Sequence, residues 1–300
     1  MPNLNKSLQS ALENIYISPL ELCNLNCRAC YTQKTKNILS NKDILDFVEK
    51  YSSCLRSKNY DLKSILFCGG EVFTLPNFPD LVNTLIQKDI FITIITNGTV
   101  DCINKINDPK NCQLLVSLDG PKEIHDKNRG PGNFDKTIKF IDSALQLGFP
   151  VEIMFLITKD SYPYKDSFDV FGLPKTYLTD RHLSLTKSQT LDIKNNYQTF
   201  PDKNFGCFQF SLQSTGIITG CCESSLRLGT IKDNPATYVA NFIKSLSTCS
   251  KCQKCHGCCD PNYLCGYKTE LNQINCQKVI KLFNKNRPVK GDVRRTEGLK

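Results

Sequence analysis

Ile15-Tyr16-Ile17-Ser18-Pro19-Leu20-Glu21-Leu22 runs directly into Cys23-Asn24-Leu25-Asn26-Cys27-Arg28-Ala29-Cys30-Tyr31. The first eight residues are apolar enough for a buried strand, and the cysteines then fall in the loop behind it. Three thiolates on one short loop can grip three irons of a cubane cluster. Tetrahedral structural zinc needs a fourth ligand nearby. The next cysteine, Cys54, stands near the end of a predicted helix. An iron left without a thiolate is an open coordination position, as a catalytic metal site requires. From the triplet alone, zinc and chance spacing remain open.

Outward from this stretch the chain alternates strand-like and helix-like segments. Ser40 and Asp43 form a capping-box pattern, followed by Ile44, Phe47, Val48 and Tyr51 at helical spacing. Ser64–Cys68 predicts a strand ending in Gly69-Gly70, and Asp80–Ile86 a helix. Ile90–Thr96 is a β-branched strand ending in Asn97-Gly98, and Leu114–Leu118 another ending in Asp119-Gly120. Phe134–Leu147 predicts a helix with Gly148 behind it, Val151–Ile157 a fifth strand, and Thr176–Leu183 a weaker sixth. Such alternation implies a parallel sheet covered by helices. In parallel barrels the C-terminal strand ends build the active site. The pattern does not separate an open sheet from a partial barrel.

The chain has 300 residues, 40% of them hydrophobic, which suffices for a core. No stretch approaches the roughly 20 apolar residues of a membrane span. Met1–Ser10 is polar and lacks the apolar region of a signal peptide, so the expected compartment is the cytoplasm. The formal net charge is +9, part of it in the basic tail Asn284–Lys300. A solvated tail explains this better than a nucleic-acid contact. Seventeen cysteines in a cytoplasmic chain point to metal rather than disulfides. Seven precede residue 200 and ten lie between Cys207 and Cys276, which marks a domain boundary. Cys54, Cys102 and Cys112 are read as residues without a role, and Cys68 abuts the glycine pair.

Each strand end carries further polar or glycine-rich sequence: Cys68-Gly69-Gly70-Glu71, Thr96-Asn97-Gly98 and Ser117-Leu118-Asp119-Gly120. Taken singly, these are turn chemistry. In this order behind the triplet, the chain resembles the radical S-adenosylmethionine (radical SAM) superfamily. His125-Asp126-Lys127-Asn128-Arg129-Gly130 with Phe134 resembles a stretch of its peptide-modifying branch. The resemblance implies a [4Fe–4S] cluster on Cys23, Cys27 and Cys30 whose open iron chelates the methionine part of S-adenosylmethionine. One electron then cleaves the C–S bond, giving methionine and a 5′-deoxyadenosyl radical that takes hydrogen from a substrate. Gly69, Gly70, Glu71, Asn97, Ser117 and Arg129 match cofactor-binding positions. Tyr31 follows the third cysteine, whereas the family's aromatic precedes it, at the position of Ala29; Tyr31 is a candidate substitute.

The field from Cys207 to Cys276 resembles a SPASM domain, the auxiliary-cluster extension of radical SAM peptide maturases. Gly216 to Cys221 and the Cys249, Cys252, Cys258 run fit its pattern, and Leu228-Gly229 falls where it often has such a dipeptide. Carried over, Cys207, Cys221 and Cys265 serve a first auxiliary cluster, and Cys249, Cys252, Cys258 and Cys276 a second. Three departures stand. The Cys207–Gly216 gap is short, Asn262 occupies an expected cysteine position ahead of Cys265, and Cys222, Cys255 and Cys259 are extra. His256 lies among them. A zinc-ribbon-like module is the competing reading.

The sequence therefore predicts an α/β chain with a partial (β/α)6 TIM-like barrel and a small cysteine-rich, cluster-stabilised C-terminal domain. Residues 1–12 form an N-terminal extension, 13–200 the radical SAM core, 201–280 the SPASM-like domain and 281–300 the basic tail. By resemblance the substrate is a peptide or protein side chain, and the reductant a flavodoxin- or ferredoxin-type donor. Neither a membrane nor nucleic acid is an expected partner. A small-molecule dehydrogenase of the same superfamily and a zinc-stabilised binding protein are the alternatives. The catalytic acid or base stays unassigned among Glu71, Asp119, Asp180 and His182.

Overall fold

The computed structural model describes residues 4–30, 32, 34–179, 185–197, 210–220 and 227–250. The chain divides into two compact units.

The first unit draws on residues 1–20, 36–65 and the chain beyond 200. Helix α1 (Leu4–Glu13) leads into strand β1 (Asn14–Leu20) and, after a loop, helix α2 (Asn41–Arg56). The α2 start follows its sequence signature. The Ser40 side chain accepts from Asp43 N–H while the Asp43 carboxylate accepts from Ser40 N–H. The apolar stripe Ile44, Phe47, Val48, Tyr51 and Leu55 is buried. Tyr51 stacks on Phe210 at 4.8 Å and on Phe47 at 5.6 Å, and its hydroxyl donates to the Leu12 carbonyl at 2.9 Å. Tyr238 and Phe242 on helix α7 (Pro235–Ser250) complete the cluster, each 5.6 Å from Phe210.

Three short strands also belong here: β7 (Ser211–Leu212), β8 (Ile217–Thr219) and β9 (Arg227–Thr230). β7 runs parallel to β1, pairing Tyr16 with Ser211, and β8 and β9 continue antiparallel. Two features differ from the sequence reading. Residues 4–13 form a helix whose Ala11 and Leu12 are buried, where a plain extension was expected. Regular structure also persists beyond residue 200, in strands of two to four residues, too short to show alternation.

Strand β2 (Ser64–Gly69) leads into the second unit, residues 21–35 and 66–200. It holds helix α3 (Phe78–Ile86), strand β3 (Phe91–Thr96), strand β4 (Cys112–Ser117), helices α4 (Lys122–Arg129) and α5 (Asn133–Gln146), strand β5 (Val151–Ile157), strand β6 (Lys175–Thr179) and helix α6 (Lys187–Asn196). β3 to β6 pair in chain order, all parallel; the expected alternation is broken where short 3-10 turns, not α-helices, connect β3 to β4 and β5 to β6. On β3, Ile92, Ile94 and Thr96 are buried and alternate with part-exposed neighbours. Phe67, Phe73 and Phe78 pack edge to face at 5.2–5.6 Å. α4 was not expected as a helix. Its only buried residue is His125, so no apolar stripe announces it. The SPASM-like region from Cys252 onward, the 281–300 tail, Asp180 and His182 lie outside the described residues.

Candidate metal and cofactor site

The cysteine loop, the glycine turn after β2, the end of β3, and the β4–α4 segment converge within the second unit. Leu22, directly before Cys23, accepts a hydrogen bond from Glu71 N–H at 3.0 Å. The approach is so close that a Cβ on Gly70 would lie 1.7 Å from the Leu22 carbonyl oxygen. Only glycine fits there, and the neighbour that demands it is the chain's own backbone.

Glu71 is fully buried and uses both carboxylate oxygens. Oε2 accepts from Asn97 N–H at 2.7 Å, and Oε1 from Thr96 Oγ1 at 2.9 Å and Phe73 N–H at 3.3 Å. Burial pushes its carboxyl up to about 6 against these hydrogen bonds. Its place is that of a buried clamp joining the β2 turn to the end of β3. Thr137 on α5 adds a hydrogen bond to the Asn97 carbonyl at 2.9 Å.

So fixed, Asn97 turns its side chain to the first limb of the cysteine loop. Nδ2 donates to Asn24 Oδ1 at 2.9 Å and lies 3.7 Å from Cys23 Sγ, while Oδ1 accepts from Thr99 N–H at 2.9 Å. Asn24 Nδ2 closes the ring on Thr99 Oγ1 at 2.8 Å. Lys34 ties the middle of the loop by donating to Leu25 O and Asn26 Oδ1.

The second limb is held from α4. Arg28 N–H donates to the Asn128 carbonyl at 2.8 Å and Ala29 N–H to Asn128 Oδ1 at 3.0 Å. Asn128 Nδ2 in turn donates to Asp119 at 2.6 Å. Asp119 is buried and receives a bidentate ion pair from Arg129, at 2.7 and 2.9 Å. Burial alone would raise the Asp119 carboxyl, but Arg129 overrides it and the group falls below its ordinary range. His125 Nδ1 accepts from Asp119 N–H at 3.3 Å, and burial holds the imidazole neutral, down to about 4. Its Nε2 has no hydrogen-bond partner among the described residues.

Cys23 and Cys27 are half-buried and Cys30 exposed, all three as free thiols. Burial pushes the Cys23 and Cys27 thiols up, and Arg129 opposes this at Cys27. Loading a metal must therefore displace protons. Among the described residues no three His, Cys, Asp or Glu side chains stand close enough to hold a metal ion. The donor set itself fits an iron–sulfur cluster: three thiols on one loop, within electrostatic reach of one another, with Arg129 acting on Cys27 and Cys23. Ser117 ends β4 in register with Met154 and is buried. Gly69 precedes the clamp with φ 133°. Sequence reasoning did not nominate Asn128, Asn24, Thr96 or Thr99. Asn128 lay in a quoted motif, but its partners are remote in the chain. Tyr31, Cys207, Cys221, Cys258, Cys265 and Cys276 lie outside the described residues, as does the side chain of Cys249.

Residues 17–163 match the family model of the radical SAM superfamily. The chain is similar to the Fe-coproporphyrin III synthase of Methanosarcina barkeri, 30% identical over 46% of this chain and 35% of that protein. It is also similar to the subtilosin biosynthesis protein AlbA of Bacillus subtilis, 29% identical over 48% and 33%. The mycofactocin maturase MftC of Mycobacterium tuberculosis is 26% identical over 49% and 38%. The chain thus matches 33–38% of the length of these relatives. Among solved structures, anSMEcpe with bound AdoMet and Cp18Cys peptide superposes with a TM-score of 0.62 at 18% identity, covering 91% of this chain and 97% of that one. Streptococcus suis SuiB bound to S-adenosylmethionine gives 0.57 at 16% identity, over 81% and 70%. These two likenesses establish the fold. The family match over residues 17–163 gives the chain a radical SAM domain, and the three-cysteine loop behind β1 lies within it.

Proposed function

We propose that the chain binds a [4Fe–4S] cluster through Cys23, Cys27 and Cys30 together with S-adenosylmethionine, and modifies a peptide or protein side chain. The observation that carries this is the cysteine loop held on both limbs, by Asn97 at Cys23 and by Asn128 between Cys27 and Cys30. When bound, the cluster and its sulfonium partner supply one-electron cleavage of a C–S bond and hydrogen-atom abstraction. The chain's own residues provide position and charge. Arg129 brings a compensated positive charge beside the thiols, favouring the thiolate of Cys27. Asn97 offers an N–H to the Cys23 sulfur, a contact of the kind that tunes cluster potential.

The relatives named for subtilosin biosynthesis and mycofactocin maturation support a peptide substrate, as do the fold neighbours solved with peptides, including SuiB with the precursor peptide SuiA. Relatives named for haem and coproporphyrin synthesis mark the competing substrate class. Auxiliary clusters on Cys207, Cys221 and Cys265, and on Cys249, Cys252, Cys258 and Cys276, belong to the proposal. So do a flavodoxin- or ferredoxin-type donor and a cytoplasmic location. Among the described residues no helix is long and apolar enough to cross a membrane.

The test is anaerobic incubation with dithionite and S-adenosylmethionine, with 5′-deoxyadenosine as readout. The Cys23→Ala, Cys27→Ala, Cys30→Ala triple variant is expected to form none; product at the wild-type rate refutes the assignment. About eight to twelve irons per chain are expected if auxiliary clusters are present, and about four if not.

A further inference from the structure

We infer that Asn128 is a positioning residue for the cluster loop, fixing the backbone between Cys27 and Cys30 from which both thiols are presented. The inference rests on the cluster assignment proposed above and concerns how the protein shapes that site.

Cys27 and Cys30 flank two residues, Arg28 and Ala29, and both of their backbone N–H groups are spent on Asn128. One goes to its carbonyl at 2.8 Å and the other to its side-chain oxygen at 3.0 Å. Two parallel bonds to one residue fix the orientation of the intervening peptide, whereas a single bond would leave it a hinge. The remaining polar group of the Asn128 side chain, its NH2, donates to Asp119 at 2.6 Å. Asp119 is held by two bonds from Arg129, which stands on the same helix immediately after Asn128. The clamp is therefore anchored on a buried ion pair rather than on a mobile surface group.

The chemistry selects an amide. Its oxygen must accept from Ala29 while its nitrogen donates to an ionised carboxylate. Aspartate at 128 would keep the acceptor but turn an oxygen toward Asp119, replacing a charge-assisted bond with like-charge repulsion. Alanine would keep only the carbonyl contact to Arg28. Groups that orient metal ligands typically change metal affinity by 10–100-fold when removed.

The experiment compares full-length wild type with Asn128→Ala and the near-isosteric Asn128→Asp after anaerobic reconstitution. One readout is the part of the reduced-cluster EPR signal that shifts when S-adenosylmethionine is added, which separates the open-iron cluster from any other. The second is the rate at which a chelator removes that part. The third is the melting temperature of the metal-free chain. Both variants are expected to lose the responsive signal about tenfold faster than wild type, with metal-free melting close to wild type in Asn128→Ala and lowered in Asn128→Asp by the repulsion at Asp119. Loss at the wild-type rate in both variants overturns the inference. So does faster loss in Asn128→Ala matched by an equal drop in its metal-free stability, since that assigns Asn128 to the fold alone. A wild-type chain with no responsive signal overturns the cluster assignment itself, a result distinct from either.

Discussion

Replacing Gly70 by alanine tests whether the glycine turn serves the chain's own backbone. The added methyl would meet the Leu22 carbonyl oxygen at 1.7 Å and its carbon at 2.4 Å, so one strand end must move away from the other. Overpacking of this kind costs ~2 kcal/mol. The movement also breaks the Glu71 N–H to Leu22 carbonyl bond of 3.0 Å, worth ~1 kcal/mol. Gly148→Ala is the control. That glycine sits at φ 84° with nothing within 4 Å, so its substitution carries only the torsional cost, ~1 kcal/mol. The two variants differ in where the damage falls. Hydrogen exchange measured by mass spectrometry on the metal-free chain reads this directly. Peptides spanning residues 20–30 and 66–75 should exchange about 100-fold faster in Gly70→Ala, the equivalent of ~3 kcal/mol at 1.4 kcal/mol per tenfold. In Gly148→Ala the same peptides should stay close to wild type. Equal exchange of these peptides in the two variants would refute the steric argument.

Asp119→Asn leaves the buried Arg129 guanidinium without its charge partner and should cost ~3 kcal/mol in denaturant unfolding; loss of under ~1 kcal/mol would sink the ion-pair account. Because the Asp119 carboxyl is depressed, its stabilisation is present above its ordinary 3.8 and lost as pH falls below that. The Asp119→Asn variant should accordingly show a shallower acid limb there. Glu71 has the opposite sign. Burial raises it from 4.5 to about 6, so stability falls as pH rises through that window, by ~2 kcal/mol. Glu71→Gln should remove this slope between pH 4.5 and 6, as a pH series of unfolding midpoints will report. Tyr51→Phe leaves the ring cluster intact but strands the Leu12 carbonyl, for a loss of ~1 kcal/mol that calorimetry can resolve.

Much of the order of long strands and helices was legible in the chain. β3 reads off Ile92, Ile94 and their β-branched neighbours because the face packed into the core repeats every second residue. α2 reads off its cap and stripe, since both lie within a few residues of each other. α1 has Leu4, Leu8 and Leu12 at helical spacing, a signal masked by the polar residues around them. α4 carries no stripe, and β7 to β9 are too short to carry a period.

The sequence by itself determined the cysteine spacing and the polar residues at strand ends, which are local features, but it did not mark Asn24, Thr96, Thr99 or Asn128. Tertiary structure alone decided what each of them does. Ala29 and Asn128 are 99 residues apart, and Glu71 and Asn97 26 apart, yet both pairs are hydrogen-bonded. Glu71 appears in the chain as a candidate cofactor contact and in the fold as a buried clamp. Gly70 appears as a turn and in the fold as the point where Leu22 passes. Hydrogen bonds and close contacts are made between surfaces brought together by burial of the sheet. No pattern along the chain encodes which carbonyl will face which amide.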